Sequence, residues 1–126
     1  MYTFILKSKI HRATISASNP DYEGSLTIDK NLMDAANIHN FEQVHVLSLT
    51  TGERLITYAI PGKEGVICTN GAAAKKIRAG EVVIILTYCI LPESEVNHFK
   101  PRIVLVNQQN EIKSIPSVNE HINNML

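Results

Sequence analysis

Apolar and polar residues alternate in short runs along most of the chain, and glycine, proline or asparagine separates one run from the next. An alternation with a period of two places the apolar side chains on one face of a β-strand. The pattern predicts seven strands, near Ile5–Ile15, Ser25–Ile28, Val44–Leu49, Arg54–Ile60, Val66–Thr69, Val82–Leu91 and Arg102–Val106.

Three short helices are predicted between these strands. Asp29 can cap the first, which runs through Ala36, and Asn37 can end it in a left-handed conformation. The second covers residues 72–77, and the third starts at Pro92 with acidic residues in its first turn. Many short strands with few helices predict a mainly β fold in the form of a small barrel, because closure removes exposed strand edges.

The size and composition indicate a single globular domain. Of the 126 residues, 44% are hydrophobic and 19% are charged, and twelve basic side chains balance twelve acidic ones. A neutral chain lacks the basic surface that phosphate neutralisation requires, so we expect no nucleic-acid partner. The longest apolar run, Val82–Leu86, is too short for a membrane helix. We expect the polar tail, residues 112–126, to be flexible.

Cysteine and histidine usage gives no sign of a metal site. The two cysteines, Cys68 and Cys89, lack the close spacing of zinc ligands, and so few thiols suit a reducing compartment. Four histidines also lack ligand spacing and are interpreted as structural or surface residues: His39, His45, His98 and His121. We therefore expect a cytoplasmic protein without a bound metal ion.

The first candidate for chemistry is the dipeptide Gly24-Ser25, just before a predicted strand. Glycine permits a strained backbone, and the serine that follows can attack the carbonyl of the preceding peptide bond, which converts the amide into an ester. Gly-Ser is also a common turn sequence. The dipeptide alone therefore leaves both interpretations open.

Two predicted strands carry polar side chains that suit an anionic ligand. Lys9 and His11 lie two residues apart and so share one strand face. Arg54 and Tyr58 share a face of another strand, whereas Thr57 points to the opposite side. Arginine can bind a carboxylate through two hydrogen bonds, and tyrosine can transfer a proton. Both sets are also compatible with an ordinary solvated strand surface.

The segment Asn70–Ala74 offers main-chain N–H groups to a ligand. Its side chains after Gly71 are all alanine, so a ligand can approach the backbone at a helix start, where the partial charge favours anions. A simple turn into an alanine-rich helix explains the same sequence.

Taken together, eight segments carry a family resemblance: Lys9–Ala13, Tyr22–Ser25, Ile28–Asp29, Asp34–Ala36, Thr51–Arg54, Thr57–Ile60, Asn70–Ala74 and Gly80–Ile85. In this order they resemble the pyruvoyl-dependent aspartate decarboxylases, which make β-alanine for pantothenate synthesis. The joint occurrence of Glu-Gly-Ser, Arg-x-x-Thr-Tyr and Asn-Gly-Ala-Ala makes the resemblance specific.

The resemblance implies a six-stranded double-psi β-barrel and a homotetramer with active sites between neighbouring subunits. It also implies self-cleavage between Gly24 and Ser25, assisted by Thr57, into residues 1–24 and 25–126. Ser25 then becomes a pyruvoyl group that serves as the cofactor in place of pyridoxal phosphate, and L-aspartate is the substrate. Some relatives require a separate maturation factor for this cleavage.

The resemblance further assigns roles within the site. Tyr58 corresponds to the family's proton donor. The residues that correspond to substrate contacts are Lys9, His11, Arg54, Thr57, Asn70, Gly71, Ala72 and Ala73. The alternative is a non-catalytic, oligomeric β-barrel that binds a partner and is never cleaved, because small barrels host many functions.

Overall fold

A computed structural model describes residues 1–125 of the protein; Leu126, at the end of the expected tail, lies outside the described residues. Nine strands lie within the described range: β1 (Tyr2–Thr14), β2 (Ala17–Asn19), β3 (Ser25–Asp29), β4 (Gln43–Ser48), β5 (Arg54–Gly62), β6 (Ile67–Asn70), β7 (Val82–Pro92), β8 (Arg102–Val106) and β9 (Ile112–Ser114). All seven predicted strands are confirmed, with small shifts at their ends. The short strands β2 and β9 are additional.

Within residues 1–125 the strands are joined by α1 (Lys30–Ala36), α2 (Ala73–Lys76), a 3-10 helix (Glu93–His98) and α3 (Val118–Met125). The ends of α1 are as predicted, because the Asp29 side chain accepts a hydrogen bond from the N–H of Asn31 at 2.8 Å and Asn37 has a φ of 57°. The second predicted helix is shorter than expected, and the third is a 3-10 helix.

The strands form one hydrogen-bonded sheet in the order β2-β6-β3-β5-β4-β7-β1-β8-β9. The pairs β1–β8, β3–β5 and β2–β6 are parallel, and the other neighbouring pairs are antiparallel. This architecture confirms the mainly β fold with a few short helices. Closure into a six-stranded double-psi barrel stays a prediction.

The hydrophobic core lies on one face of the sheet. Ile10, Ile85 and Val46 stand opposite one another across β1, β7 and β4, and all three are fully buried. Branched side chains at alternating positions pack well on a pleated surface. Ser8 and Thr87 are buried among them and satisfy each other through a hydrogen bond between their hydroxyls. The alternation in the sequence therefore determines which side chains face away from the core.

The opposite face of β5, β4, β7 and β1, called the outer face below, carries the predicted cationic residues. Two rows of paired residues cross it: Lys9, Leu86, His45 and Ile56, and then His11, Ile84, Leu47 and Arg54. Large apolar side chains are exposed on the same face, with Phe4 at 75% and Ile90 at 60%. Exposed apolar groups that cluster in this way mark an interaction surface.

The tail contributes two further elements. β9 pairs antiparallel with β8, and its three residues are exposed. α3 follows after a short connection. The flexibility of this tail stays a prediction. No helix within residues 1–125 combines the length and apolar character that a membrane span requires.

Candidate active site

Ser25 begins β3 in a strained backbone conformation. The antiparallel pairing of β3 with β6 places Ser25 opposite Asn70. Ser25 is only 1% exposed, and its φ is 141°. For a residue other than glycine such an angle costs about 1–3 kcal/mol and persists only where surrounding contacts enforce it. The strain therefore lies directly beside the Gly24–Ser25 peptide bond.

The side chain of Asn70 holds the Ser25 hydroxyl. Its Nδ2 donates to Ser25 Oγ at 2.9 Å and to Thr27 Oγ1 at 2.9 Å. Asn70 is buried, so these hydrogen bonds are shielded from water. Register on two neighbouring strands thus fixes the position of the serine oxygen.

Tyr58 contacts the other side of the same peptide bond. It reaches from β5, and its hydroxyl donates to the carbonyl oxygen of Gly24 at 2.8 Å. The Gly24 carbonyl and the Ser25 hydroxyl therefore each have a hydrogen-bond donor. These are the two groups that react when a serine attacks the preceding peptide bond.

Gly71 allows β6 to approach the Gly24–Ser25 segment closely. Its φ is 65°, and a Cβ at this position would lie 3.0 Å from the Cα and N of Gly24 and 3.0 Å from the carbonyl oxygen of Tyr22. Only glycine fits such a gap with this backbone angle. The glycine of the Asn-Gly-Ala-Ala motif thus supports the position of Gly24.

A cavity of about 240 Å³ opens beside these groups. Its lining consists of Gly24, Ser25, Leu55, Ile56, Thr57, Asn70, Ala72, Ala73 and Lys76. Small side chains from the start of α2 leave space next to Ser25, and the volume suits a small molecule. Within residues 1–125, no cluster of three or more histidine, cysteine, aspartate or glutamate side chains could hold a metal ion.

Lys9 and His11 form a second polar cluster on β1, together with His121 of α3. Lys9 Nζ lies 3.5 Å from His121 Nε2, and the rings of His11 and His121 meet edge to face with centroids 6.3 Å apart. Burial, together with the nearby positive charges of Lys9 and Arg12 and with His121, lowers the pKa of His11 to about 4. His11 is therefore neutral at pH 7.

This second cluster is distant from the cavity within one protomer. β7 and β4 lie between β1, which carries Lys9, and β5, which carries Tyr58, so the two strands are about 14 Å apart along the sheet at the usual strand spacing. Arg54 lies on the outer face in the same row as His11, and its side chain is exposed. One chain thus separates Lys9 and His11 from its strained serine.

Comparisons with known proteins agree with this geometry. The family model described as aspartate decarboxylase matches residues 1–113. This chain belongs to the aspartate decarboxylase family. An aspartate 1-decarboxylase of Clostridium botulinum is 46% identical over 119 residues, which cover 93% of this chain and 94% of the relative. Aspartate 1-decarboxylases of Caldicellulosiruptor bescii and Clostridium acetobutylicum are 46% and 45% identical over 123 residues, with 96% of this chain covered in both cases and 96% and 97% of the relatives.

The structure of this aspartate decarboxylase family member brings together most of the residues that the sequence singled out. The cavity is lined by six of them: Gly24, Ser25, Thr57, Asn70, Ala72 and Ala73. Tyr58 and Gly71 contact Gly24 directly, as described above. Lys9 and His11 lie elsewhere, on β1, whereas Arg54 does not line the cavity but shares its face of β5 with Ile56 and Tyr58.

Sequence reasoning missed five residues of these two clusters. Thr27 shares the Asn70 amide with Ser25, and Lys76 lines the cavity from α2. Lys76 follows Ala72 and Ala73 at helical spacing, which would have indicated its orientation. Leu55 and Ile56 line the cavity as well, and His121, which the sequence indicates to be a structural or surface residue, contacts Lys9. No local pattern signals this last contact, because 112 residues separate the two side chains.

Proposed function

We propose that this protein decarboxylates L-aspartate to β-alanine and CO2 for pantothenate synthesis, in the cytoplasm, on a pyruvoyl group that it makes from Ser25. Family membership supports the activity. The observation that carries the proposal is the geometry at Gly24–Ser25. The backbone of Ser25 is strained, and the Ser25 hydroxyl oxygen and the Gly24 carbonyl oxygen both accept hydrogen bonds.

The first step of maturation is an attack of Ser25 Oγ on the carbonyl carbon of Gly24. The C–N bond then breaks, the Oγ proton passes to the released nitrogen, and an ester replaces the amide. During the attack the Gly24 oxygen becomes negatively charged, and the Tyr58 hydroxyl is already positioned to donate to it at 2.8 Å. Thr57, which lines the same cavity, assists this step.

Elimination and hydrolysis complete the maturation. Loss of the Cα proton of Ser25 breaks its Cβ–Oγ bond, and Gly24 leaves as a free carboxylate. The resulting dehydroalanine takes up water and releases ammonia, which leaves a pyruvoyl group at the new N-terminus. The products are residues 1–24 and residues 25–126.

The surroundings of Ser25 fit such a group. Ala72 and Ala73 leave space beside it, and the Asn70 amide supplies a hydrogen-bond donor toward it. Once formed there, the group would supply a carbonyl for the substrate amine and an electron sink for the pair that the departing CO2 leaves behind. Cleavage frees the Tyr58 hydroxyl from Gly24, so that it can donate a proton to the carbon that lost CO2.

The substrate carboxylates require cations, and we propose that a neighbouring subunit of a homotetramer supplies Lys9 and His11. These residues are too far from Ser25 within one protomer, since four strand spacings, about 19 Å along the sheet, separate β1 from β3. Arg54 lies on the same outer face and completes the anion-binding set. The exposed apolar side chains of that face, such as Phe4 and Ile90, suit burial against a second copy.

The deciding experiment is the intact mass of the purified protein under denaturing conditions, combined with an assay for β-alanine. We expect two species that divide between Gly24 and Ser25, the larger of them reactive toward borohydride, and release of CO2 from aspartate. Ser25→Ala should remain whole and inactive. Decarboxylation by that variant would contradict the proposal, and a wild-type chain that is never cut would favour the non-catalytic binding module. Cleavage of the purified chain alone would show that no maturation factor is required.

A further inference from the structure

Cys68 lies beside the amide that holds Ser25. It belongs to β6, two residues before Asn70, and its side chain is partly buried. Its Sγ lies 3.3 Å from Asn70 Oδ1, within the range of an S–H···O hydrogen bond. The Thr69 carbonyl oxygen is a more distant acceptor for the same proton, at 3.6 Å. The thiol therefore contacts the oxygen side of the amide, and Ser25 contacts its nitrogen side.

The orientation of this amide determines whether the hydroxyl proton of Ser25 is free to leave. In the observed orientation Nδ2 uses both of its hydrogens, one on Ser25 Oγ and one on Thr27 Oγ1, each at 2.9 Å. Ser25 Oγ is thus an acceptor, and its own proton stays free to leave. An N–H donor is also suited to the negative charge that grows on Oγ as the proton departs.

The opposite orientation would hinder the attack. Oδ1 would then face the two hydroxyls, and the Ser25 proton would be held in a hydrogen bond to a carbonyl oxygen. The negative charge developing on Oγ would face that oxygen instead of a donor. Nδ2 would meet the Cys68 sulfur, which is only a weak acceptor. A hydrogen-bond donor on the side of the amide away from Ser25 therefore favours the orientation in which Oδ1 faces that donor and Nδ2 faces Ser25.

We propose that Cys68 is a positioning residue for the maturation described above: its thiol donates to Asn70 Oδ1 and so keeps Nδ2 directed at Ser25. This inference rests on the proposed function, because it concerns the rate at which the Gly24–Ser25 bond is cut. Cys68 itself touches neither reacting atom.

The protonation state of the thiol agrees with this role. Burial raises the pKa of Cys68, and this effect outweighs a backbone hydrogen bond from Asn19 that acts in the opposite direction. The group therefore keeps its proton at neutral pH. A thiolate could not donate to Oδ1.

The test compares the cleavage rates of freshly purified precursors by intact mass under denaturing conditions. Cys68→Val removes the donor but keeps a similar volume and a residue that suits a strand. Cys68→Ser keeps a donor. Cys89→Val makes the same change at the other free thiol, on β7, and serves as the matched control. Melting temperatures of all the variants are recorded alongside.

Loss of one hydrogen bond should slow cleavage of Cys68→Val about three- to fivefold. Cys68→Ser should cleave within about twofold of the wild type because it retains a donor, and Cys89→Val should match the wild type. Equal rates for Cys68→Val and wild type would overturn the inference alone. Equal slowing of Cys68→Ser and Cys68→Val would also overturn it, since packing and not hydrogen-bond donation would then control the rate. A wild-type chain that is never cut would overturn the proposed function together with this inference.

Discussion

The hydroxyl of Tyr58 donates a hydrogen bond of 2.8 Å to the carbonyl oxygen of Gly24, which lies 34 residues away in the sequence. The contact joins β5 to the segment just before β3. These two strands, β3 and β5, run parallel to each other. In the proposed maturation this oxygen takes on negative charge. A donor that is in place before the reaction stabilises that charge without any reorganisation.

Tyr58→Phe removes this donor and keeps the ring. We expect cleavage between Gly24 and Ser25 to slow about tenfold to a hundredfold, toward the lower end of the effects known for single oxyanion donors because Tyr58 is partly exposed. The fraction of uncut chain, followed over time by mass spectrometry, measures the effect. Tyr88→Phe is the matched control, since Tyr88 lies exposed on β7 away from the cavity. A Tyr58→Phe precursor that matures as fast as the control would exclude this role.

Gly71→Ala tests the close approach of β6 to the cleavage segment. The new Cβ would lie 3.0 Å from atoms of Gly24 and Tyr22, so the Gly24 backbone must move and cleavage should be strongly reduced. Gly52→Ala introduces alanine at a similar φ, +83°, with nothing within 4 Å of the added Cβ. Both variants should lose stability by about 1–2 kcal/mol from backbone strain, but only Gly71→Ala should mature slowly. If both variants fold and mature at equal rates, the close approach of Gly71 to Gly24 does not control cleavage, and the prediction is wrong.

Local alternation was sufficient to predict the seven longer strands, because one buried face imposes a period of two on each of them. β2 was not predictable, since its three residues, Ala17–Asn19, are too few to show a period and depend on parallel pairing with β6. β9 lies in a polar tail and is exposed throughout, so no hydrophobic pattern marks it either.

The candidate site was predictable only in part, and for a related reason. Gly24-Ser25 and Asn70-Gly71 are visible as local motifs, but their contact depends on the register between β3 and β6. The same holds for Lys9 and Tyr58, which the family resemblance assigns to one site and the strand order separates. Register and strand order are set by long-range packing, which a local pattern does not encode.

The pKa of His11, about 4, makes the stability of the protein depend on pH. In the unfolded chain this group titrates near 6.5. Between pH 6.5 and about 4 the unfolded state therefore binds a proton that the folded state does not, and stability is full above this window and falls as the pH drops through it. His121 acts in the same direction, because burial lowers its pKa too.

His11→Gln should flatten the decline of the melting temperature between pH 7 and pH 4. His98→Gln, an exposed position on the 3-10 helix, should leave the decline unchanged. Proton NMR of the wild type should show the His11 ring titrating near pH 4. A His11 ring that titrates near 6.5 in the folded protein would contradict the burial of this group.

The separation of Lys9 from Ser25 predicts that two inactive variants restore each other. Lys9→Ala retains Ser25, Tyr58 and Asn70 and should still be cleaved, but its sites lack the cation. Ser25→Ala stays uncut but presents an intact Lys9. In subunits that are mixed by unfolding and refolding together, a site that combines Ser25 of the first variant with Lys9 of the second is complete. Random mixing yields about a quarter of wild-type activity if each site takes one half from each of two neighbours. Light scattering checks that oligomers have formed in the mixture. If they have and the mixture stays as inactive as its components, Lys9 and Ser25 act within one chain and the prediction is wrong.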